Sequence, residues 1–189
     1  MLRLLAPLLA CLLWAAPLHA LEPGFAGSQS CRDCHEKFYK LWSTSHHGLA
    51  MQSFESARPA LTPQAGEIAV QGARYKVDLD AGVVLERGPD GEKRYPVVQA
   101  LGGKNVFYSL APLERGRLQT LPLAYDLNAK EWFDTAASGV RHVPGEGRGL
   151  SWRDPAFTFN TSCHGCHVSQ LSTNYDPATD AYRTTWAEP

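Results

Sequence analysis

Two pentapeptides of one form, Cys31-Arg32-Asp33-Cys34-His35 and Cys163-His164-Gly165-Cys166-His167, constrain this chain more than anything else in it. They use four of the five cysteines, and the fifth, Cys11, lies within the first twenty residues. Cys-x-x-Cys-His is the sequence signature of covalent c-type haem attachment. Two thiols three positions apart reach the two vinyl groups of one porphyrin. The histidine directly after the second thiol then lies under the iron, where an imidazole nitrogen is a good axial ligand. Two copies predict two covalently bound c haems, with Cys31, Cys34, Cys163 and Cys166 as thioethers and His35 and His167 as proximal iron ligands. The competing readings fit less well. A four-cysteine zinc module separates its pairs by about 15–20 residues, far less than the stretch from Cys34 to Cys163. Disulfides, common in exported chains, or a thioredoxin-type redox centre would leave both histidines without a role.

The first twenty residues read as a secretory leader. Arg3 supplies a basic start, Leu4 to Trp14 an apolar run, and Ala15-Ala16-Pro17-Leu18-His19-Ala20 a cleavage region. Cleavage near Ala20 places the mature chain in the periplasm, on the side where c-type haem is attached. The apolar run is short for a bilayer, so no stable membrane span is expected after the leader is removed. Lipidation at Cys11 is the alternative, since Leu8-Leu9-Ala10-Cys11 resembles a lipoprotein box, but it sits early and the chain stays apolar beyond it. Formal net charge is −1 over 189 residues, and the leader removes one base and no acid. Ionised propionates would add negative charge. This is not the basic footprint of a nucleic-acid binder.

With 16 glycines and 13 prolines, long regular elements should be few, and two porphyrins would supply apolar core. The expected fold class is α+β, with small helical or irregular haem-binding segments at both ends and an inserted antiparallel β-meander. The boundaries read as leader 1–20, first haem-binding segment 21–66, β-rich insertion 67–135 and second haem-binding segment 136–189, with 21–189 one compact domain. A helix is expected from Arg32 through Phe38, Tyr39, Leu41 and Trp42, which share one face. Ser43-Thr44-Ser45 weaken it. Pro59, Pro63 and Gly66 mark residues 56–66 as a linker.

In the insertion, Tyr75, Val77 and Leu79 alternate with charged residues, as in a strand. Val83-Val84-Leu85 and Tyr95-Pro96-Val97-Val98 flank Asp90-Gly91, a favoured hairpin pair. Further strands are expected over 105–110 and 117–124. The insertion has no His or Cys, so its expected role is to cover the haems. Residues 168–189 read as a short helix or turn with an extended tail.

Sixth ligands can be narrowed by counting. Beyond the proximal pair the mature chain offers His46, His47, His142 and His164, and Met51 as its one methionine. At most one haem could have His/Met ligation, which raises potential, so bis-histidine ligation is expected for the other or for both. Along an unbroken helix from His35, His46 and His47 would lie on the order of 16–18 Å away, at about 1.5 Å per residue. That is too far to close over the same iron. Either the chain turns at Ser43–Ser45 or one of the pair crosses to the other haem, with His142 serving the haem left over. His164, inside its motif, is expected to face outward. Trp42, Trp132 and Trp152 are expected against porphyrin faces, and Arg141, Tyr39, Tyr125 and Lys104 could serve an open haem.

The chain resembles multihaem c-type cytochromes related to the tetrahaem cytochrome of hydroxylamine oxidation, whose larger members often add tetratricopeptide repeats. The resemblance runs through Gly27-Ser28-Gln29-Ser30 into the first motif, then Tyr39-Lys40-Leu41-Trp42 with Ser45, His47 and Ala50. It continues in 116–119, 121–126, 131–134 and from Asn160 to Asp176. In the family's Trp-x-x-Ser-x-His pattern the histidine aligns with His47, which the resemblance therefore favours over His46. It implies electron transfer between closely packed haems and, in some relatives, redox catalysis on small nitrogen or sulfur compounds. Similar proteins commonly place another such motif soon after a segment like 184–189, which implies either a truncated member or a two-haem form.

The function expected is an exported two-haem cytochrome passing single electrons between redox protein partners or further haem domains, a carrier more than a catalyst. The alternatives are a haem reductase or peroxidase acting on small nitrogen, sulfur or peroxide substrates, or the N-terminal part of a larger multihaem oxidoreductase.

Overall fold

The computed structural model describes residues 26–136 and 150–189. The leader residues Arg3, Cys11 and Ala20, and the candidate ligand His142 with Arg141, lie outside them. The described chain is α+β. Its helices are short: α1 Glu36–Ser43, α2 Phe54–Ala57 and α3 His164–His167. Its strands are β1 Met51–Ser53, β2 Ile68–Val70, β3 Ala73–Asp78, β4 Val83–Gly88, β5 Gly91–Pro96, β6 Gln99–Leu101, β7 Val106–Pro112, β8 Leu118–Asp126 and β9 Glu131–Asp134.

They form two antiparallel sheets, one in the order β1-β6-β7-β8-β9 and the other β2-β3-β4-β5. The sheets share a core. Val70, Tyr75, Val77 and Val84 from the four-stranded sheet meet Ala111, Leu121 and Leu123 from the five-stranded one, with Trp152 among them. Alternation in β3 does this simply: Ala73, Tyr75 and Val77 are buried and Arg74 and Lys76 exposed, the period-2 pattern of a half-buried strand.

Strand β8 is buried from Leu118 to Tyr125. Leu121 and Leu123 enter the inter-sheet core, whereas Leu118 joins a second cluster with Met51, Leu101, Leu110 and Phe159. Pro122 interrupts this central strand, and proline cannot donate to a ladder. The register accordingly slips there, from Tyr108 opposite Ala124 to Leu110 opposite Thr120, which accommodates Pro122 in a bulge.

Several local expectations shift. The first helix starts at Glu36 rather than Arg32, because Ser28–Cys31 form a 3-10 turn ahead of it. The β4–β5 loop holds Pro89 and Asp90, and Gly91 opens β5 at φ +100°, so the hairpin sits one residue earlier than the Asp90-Gly91 pair implied. The linker is not free of the sheet. Gln64 is buried, its Nε2 donating to the Tyr75 carbonyl at 3.1 Å and its Oε1 accepting from Val77 N at 2.8 Å, as a neighbouring strand would. The tail is an irregular hairpin, with bridges Ser169–Glu188, Ser172–Thr185 and Asp176–Ala181. No helix among the described residues is long and apolar enough to cross a membrane.

Candidate haem sites

The first motif is a tight turn leading into a helix. His35 N donates to the Cys31 carbonyl at 2.8 Å, and the His35 carbonyl accepts from Tyr39 N at 2.9 Å. Cys31, Cys34 and His35 are all exposed. Helix α1 buries none of its residues, and Phe38 and Leu41 are 73% and 65% exposed.

After Ser43 the chain turns, as the first of the two routes considered for His46 and His47 requires. Ser45 N bonds the Trp42 carbonyl, Leu49 N the Ser45 carbonyl and Ala50 N the His47 carbonyl, at 2.9, 3.1 and 3.1 Å. Gly48 allows the turn to fold back on α1: a Cβ there would lie 2.3 Å from the Trp42 carbonyl oxygen and 2.8 Å from Ser43 Cα. His46 and His47 are both exposed on this turn.

The second motif is fastened to the sheet. A π-helical turn, Phe159–Cys163, runs into α3. Asn160, almost wholly buried, accepts from Leu118 N at 2.7 Å and donates to the Gly116 carbonyl at 3.2 Å and Thr184 Oγ1 at 2.6 Å. Thr158 Oγ1 donates to Gln119 Oε1 at 2.7 Å, while Gln119 Nε2 donates to the carbonyls of Trp152 and Asp154 at 2.6 and 3.2 Å. Phe159 is buried edge-to-face on Trp186 at 5.6 Å. Cys163 is half-buried, and burial pushes its thiol pKa up.

The link between the motifs is the geometry that matters most. His167 Nδ1 lies 2.7 Å from the Ala50 carbonyl oxygen. A carbonyl only accepts, so Nδ1 carries the proton and the Nε2 lone pair is left for a metal, the arrangement that orients an iron-ligating imidazole. On the other side, both carboxylate oxygens of Glu188 accept from Ser28 N at 2.8 Å, tying the chain just ahead of Cys31 to the tail beyond His167.

These residues fit covalent haem. All four thiols are free, with Cys31, Cys34 and Cys166 exposed and Cys163 half-buried. Among the described residues no three His, Cys, Asp or Glu side chains converge where they could hold a bare metal ion. The cysteines are therefore not gathered into a four-thiolate zinc centre.

Other expected participants have different places. Met51 is buried among Leu101, Leu110, Leu118 and Phe159, where its thioether packs. Trp152 is buried between the sheets, its Nε1 donating to Tyr75 OH at 3.0 Å, and Trp132 packs on Tyr125 and donates to the Thr62 carbonyl at 2.9 Å. Trp152 therefore fills protein core rather than facing a porphyrin, whereas Trp132 is partly exposed at the edge of that core. Tyr125 is fully buried and bonds Thr62 Oγ1 at 3.0 Å, so it is unavailable to an open iron. Trp42 remains half-exposed beside Tyr39, 5.8 Å between ring centres. His164 is half-exposed, with Nδ1 3.3 Å from the Phe159 carbonyl.

Asn160, Gln119 and Glu188 are the positioning residues missed from sequence. Asn160-Thr161-Ser162 immediately before Cys163 was a signal, but nothing local says that an Asn will cap a strand forty residues away.

Residues 30–76 match the family of cytochrome c554 and c-prime. This stretch holds the first motif, the His46-His47 turn, β1, β2 and the first part of β3, less than half of the chain. No curated protein matches the chain. Among solved structures, the crystal structure of the outer cell wall cytochrome OcwA is similar over 87% of this chain, with a TM-score of 0.50 and 16% identity. The chain spans 29% of that protein's length. At that identity the likeness is one of fold. The family match takes in the first Cys-x-x-Cys-His motif, and the second, Cys163 to His167, lies outside it.

Proposed function

We propose that the chain is an exported two-haem cytochrome that passes single electrons between redox protein partners or further haem domains. When bound, the haems supply the one-electron iron couple. The protein's part is attachment, orientation and enclosure. Cys31 with Cys34, and Cys163 with Cys166, hold one group each, and His35 and His167 present their imidazoles to the irons. The reading rests above all on the His167–Ala50 hydrogen bond at 2.7 Å. That bond fixes the ligating tautomer in the second site through a residue at the end of the first.

His47 and His142 are the proposed distal ligands, and two closed irons make outer-sphere electron transfer the natural activity. Intact mass spectrometry of exported protein should show two haem additions and loss of the leader near Ala20. His47→Ala and His142→Ala should each convert one haem to a high-spin form by electron paramagnetic resonance, and the opened ferrous haem should bind carbon monoxide. A wild-type protein with one stoichiometric high-spin haem that binds nitrite, hydroxylamine or peroxide would replace the carrier reading with a reductase or peroxidase.

A further inference from the structure

The two sites are built in unlike ways. The second is seated on the sheet, through Asn160 to Leu118 and Gly116, Thr158 to Gln119, and Phe159 in the cluster with Leu110 and Leu118. Its backbone is set by protein contacts alone. The first is held at its two ends, by Glu188 on Ser28 N and by the Gly48 turn against the end of α1, with no buried side chain between them. From Cys31 to Phe38 every residue is exposed, and α1 buries nothing.

Eight residues are too few for a helix to persist in water without tertiary packing, and one Glu36–Lys40 pair at 2.8 Å, well exposed, adds little. Phe38 follows His35 by three positions and Leu41 follows Phe38 by three, so these side chains neighbour each other along one side of the helix. A side chain of either size loses much by staying in water.

We infer that the apolar side of α1, Phe38 with Leu41, is the wall of the group tethered at Cys31 and Cys34, and that α1 becomes a stable helix only when that group is attached. The second site, by contrast, is formed before its haem arrives. This inference rests on the haem reading above. The occupant is fixed by attachment: the thioethers lie within two turns of Phe38, and α1 begins at the residue after the proximal histidine.

Hydrogen–deuterium exchange on the full exported chain tests it, with mass spectrometry counting haems in each sample. In Cys31→Ala/Cys34→Ala, which should carry one haem, α1 amides should exchange faster by about tenfold or more, while β7 and β8 keep their protection. In Phe38→Ser/Leu41→Ser, which should keep both haems, α1 exchange should rise in the same sense. In Cys163→Ala/Cys166→Ala, α1 and the Phe159–Asn160 turn should both stay protected. Undiminished α1 protection in either of the first two variants overturns the wall, and loss of the Phe159–Asn160 turn in the third overturns the preformed site. Protection of α1 that tracks protein concentration would mean a second copy covers the face, and the proposal falls. A wild-type mass without haem at Cys31 and Cys34 would instead remove the underlying haem reading.

Discussion

The Nδ1 of His167 and the carbonyl oxygen of Ala50 lie 2.7 Å apart, although 117 residues separate them. The acceptor is held from both sides. Met51, next in the chain, pairs with Leu101 in the sheet, and the Gly102 amide donates to the same Ala50 carbonyl at 2.7 Å. Upstream, Gly48 lets the histidine-bearing turn lie against α1.

The first prediction follows from that contact. In Gly48→Ala the new methyl would meet the Trp42 carbonyl oxygen and Ser43 Cα, both backbone atoms that cannot rotate away. Overpacking of this kind costs roughly 1–3 kcal/mol. Thermal melts should show that loss, and the reduction potential of the second haem should shift as the His167 hydrogen bond is disturbed. A variant with unchanged melting and potentials would mean the turn does not set the second site.

Asn160→Ala removes an acceptor for Leu118 N and a donor to the Gly116 carbonyl and Thr184 Oγ1. A buried amide left without a partner carries its full desolvation penalty, so a loss of about 2–4 kcal/mol is expected by denaturant titration. Covalent haem at Cys163 and Cys166 should be retained but its surroundings loosened, seen as faster exchange around 158–163. A loss under about 0.5 kcal/mol would show that the side chain is not the anchor.

The chemistry of the candidate sites was legible because it is local: two thiols and a histidine at fixed spacing need no tertiary information. The longer strands were legible for the same reason, as Tyr75 and Val77 show. What the sequence hid is made of non-local contacts and very short elements. Strands β1 and β6 have three residues each, too few for a periodicity to register. The Ala50 carbonyl has no side-chain signal at all. Trp152 lies in the sheet core and not against a porphyrin, and composition cannot distinguish an aromatic that fills a sheet core from one that covers a porphyrin.

Glu188 is the third test. Its carboxylate receives the Ser28 amide, close to Gly27, whose φ is +73°. Hydrogen bonds to a charged acceptor contribute more than neutral ones, though partial exposure reduces this one. Glu188→Ala should cost about 1–2 kcal/mol and make the chain ahead of Cys31 more sensitive to limited proteolysis, with two haems still present by mass. Glu188→Gln, which keeps an acceptor, should restore most of the protection. Equal proteolysis of all three proteins would remove Glu188 as the clasp.

The last prediction concerns alkaline stability and the contact that fastens Arg153 to the four-stranded sheet. Tyr95 OH donates to Glu86 Oε2 at 2.7 Å, and Arg153 Nη2 donates to the same oxygen at 2.6 Å and to Tyr95 OH at 2.8 Å. Burial, followed by the hydrogen bond to Glu86, pushes the Tyr95 pKa up to about 12, with Arg153 opposing. An unfolded tyrosine ionises near 10. Between those values the unfolded chain releases a proton that the folded chain keeps, so deprotonation favours unfolding. The stability held by this phenol is therefore complete below about pH 10 and is lost as the pH rises towards 12. Tyr75, whose pKa is also raised by burial, adds to the same slope. Denaturant titrations across this range should show stability falling with pH in the wild type and falling less steeply in Tyr95→Phe, where one of the two titrations is gone. Identical slopes would mean that Tyr95 ionises at its ordinary pKa and that the Glu86–Arg153–Tyr95 contact does not hold its proton.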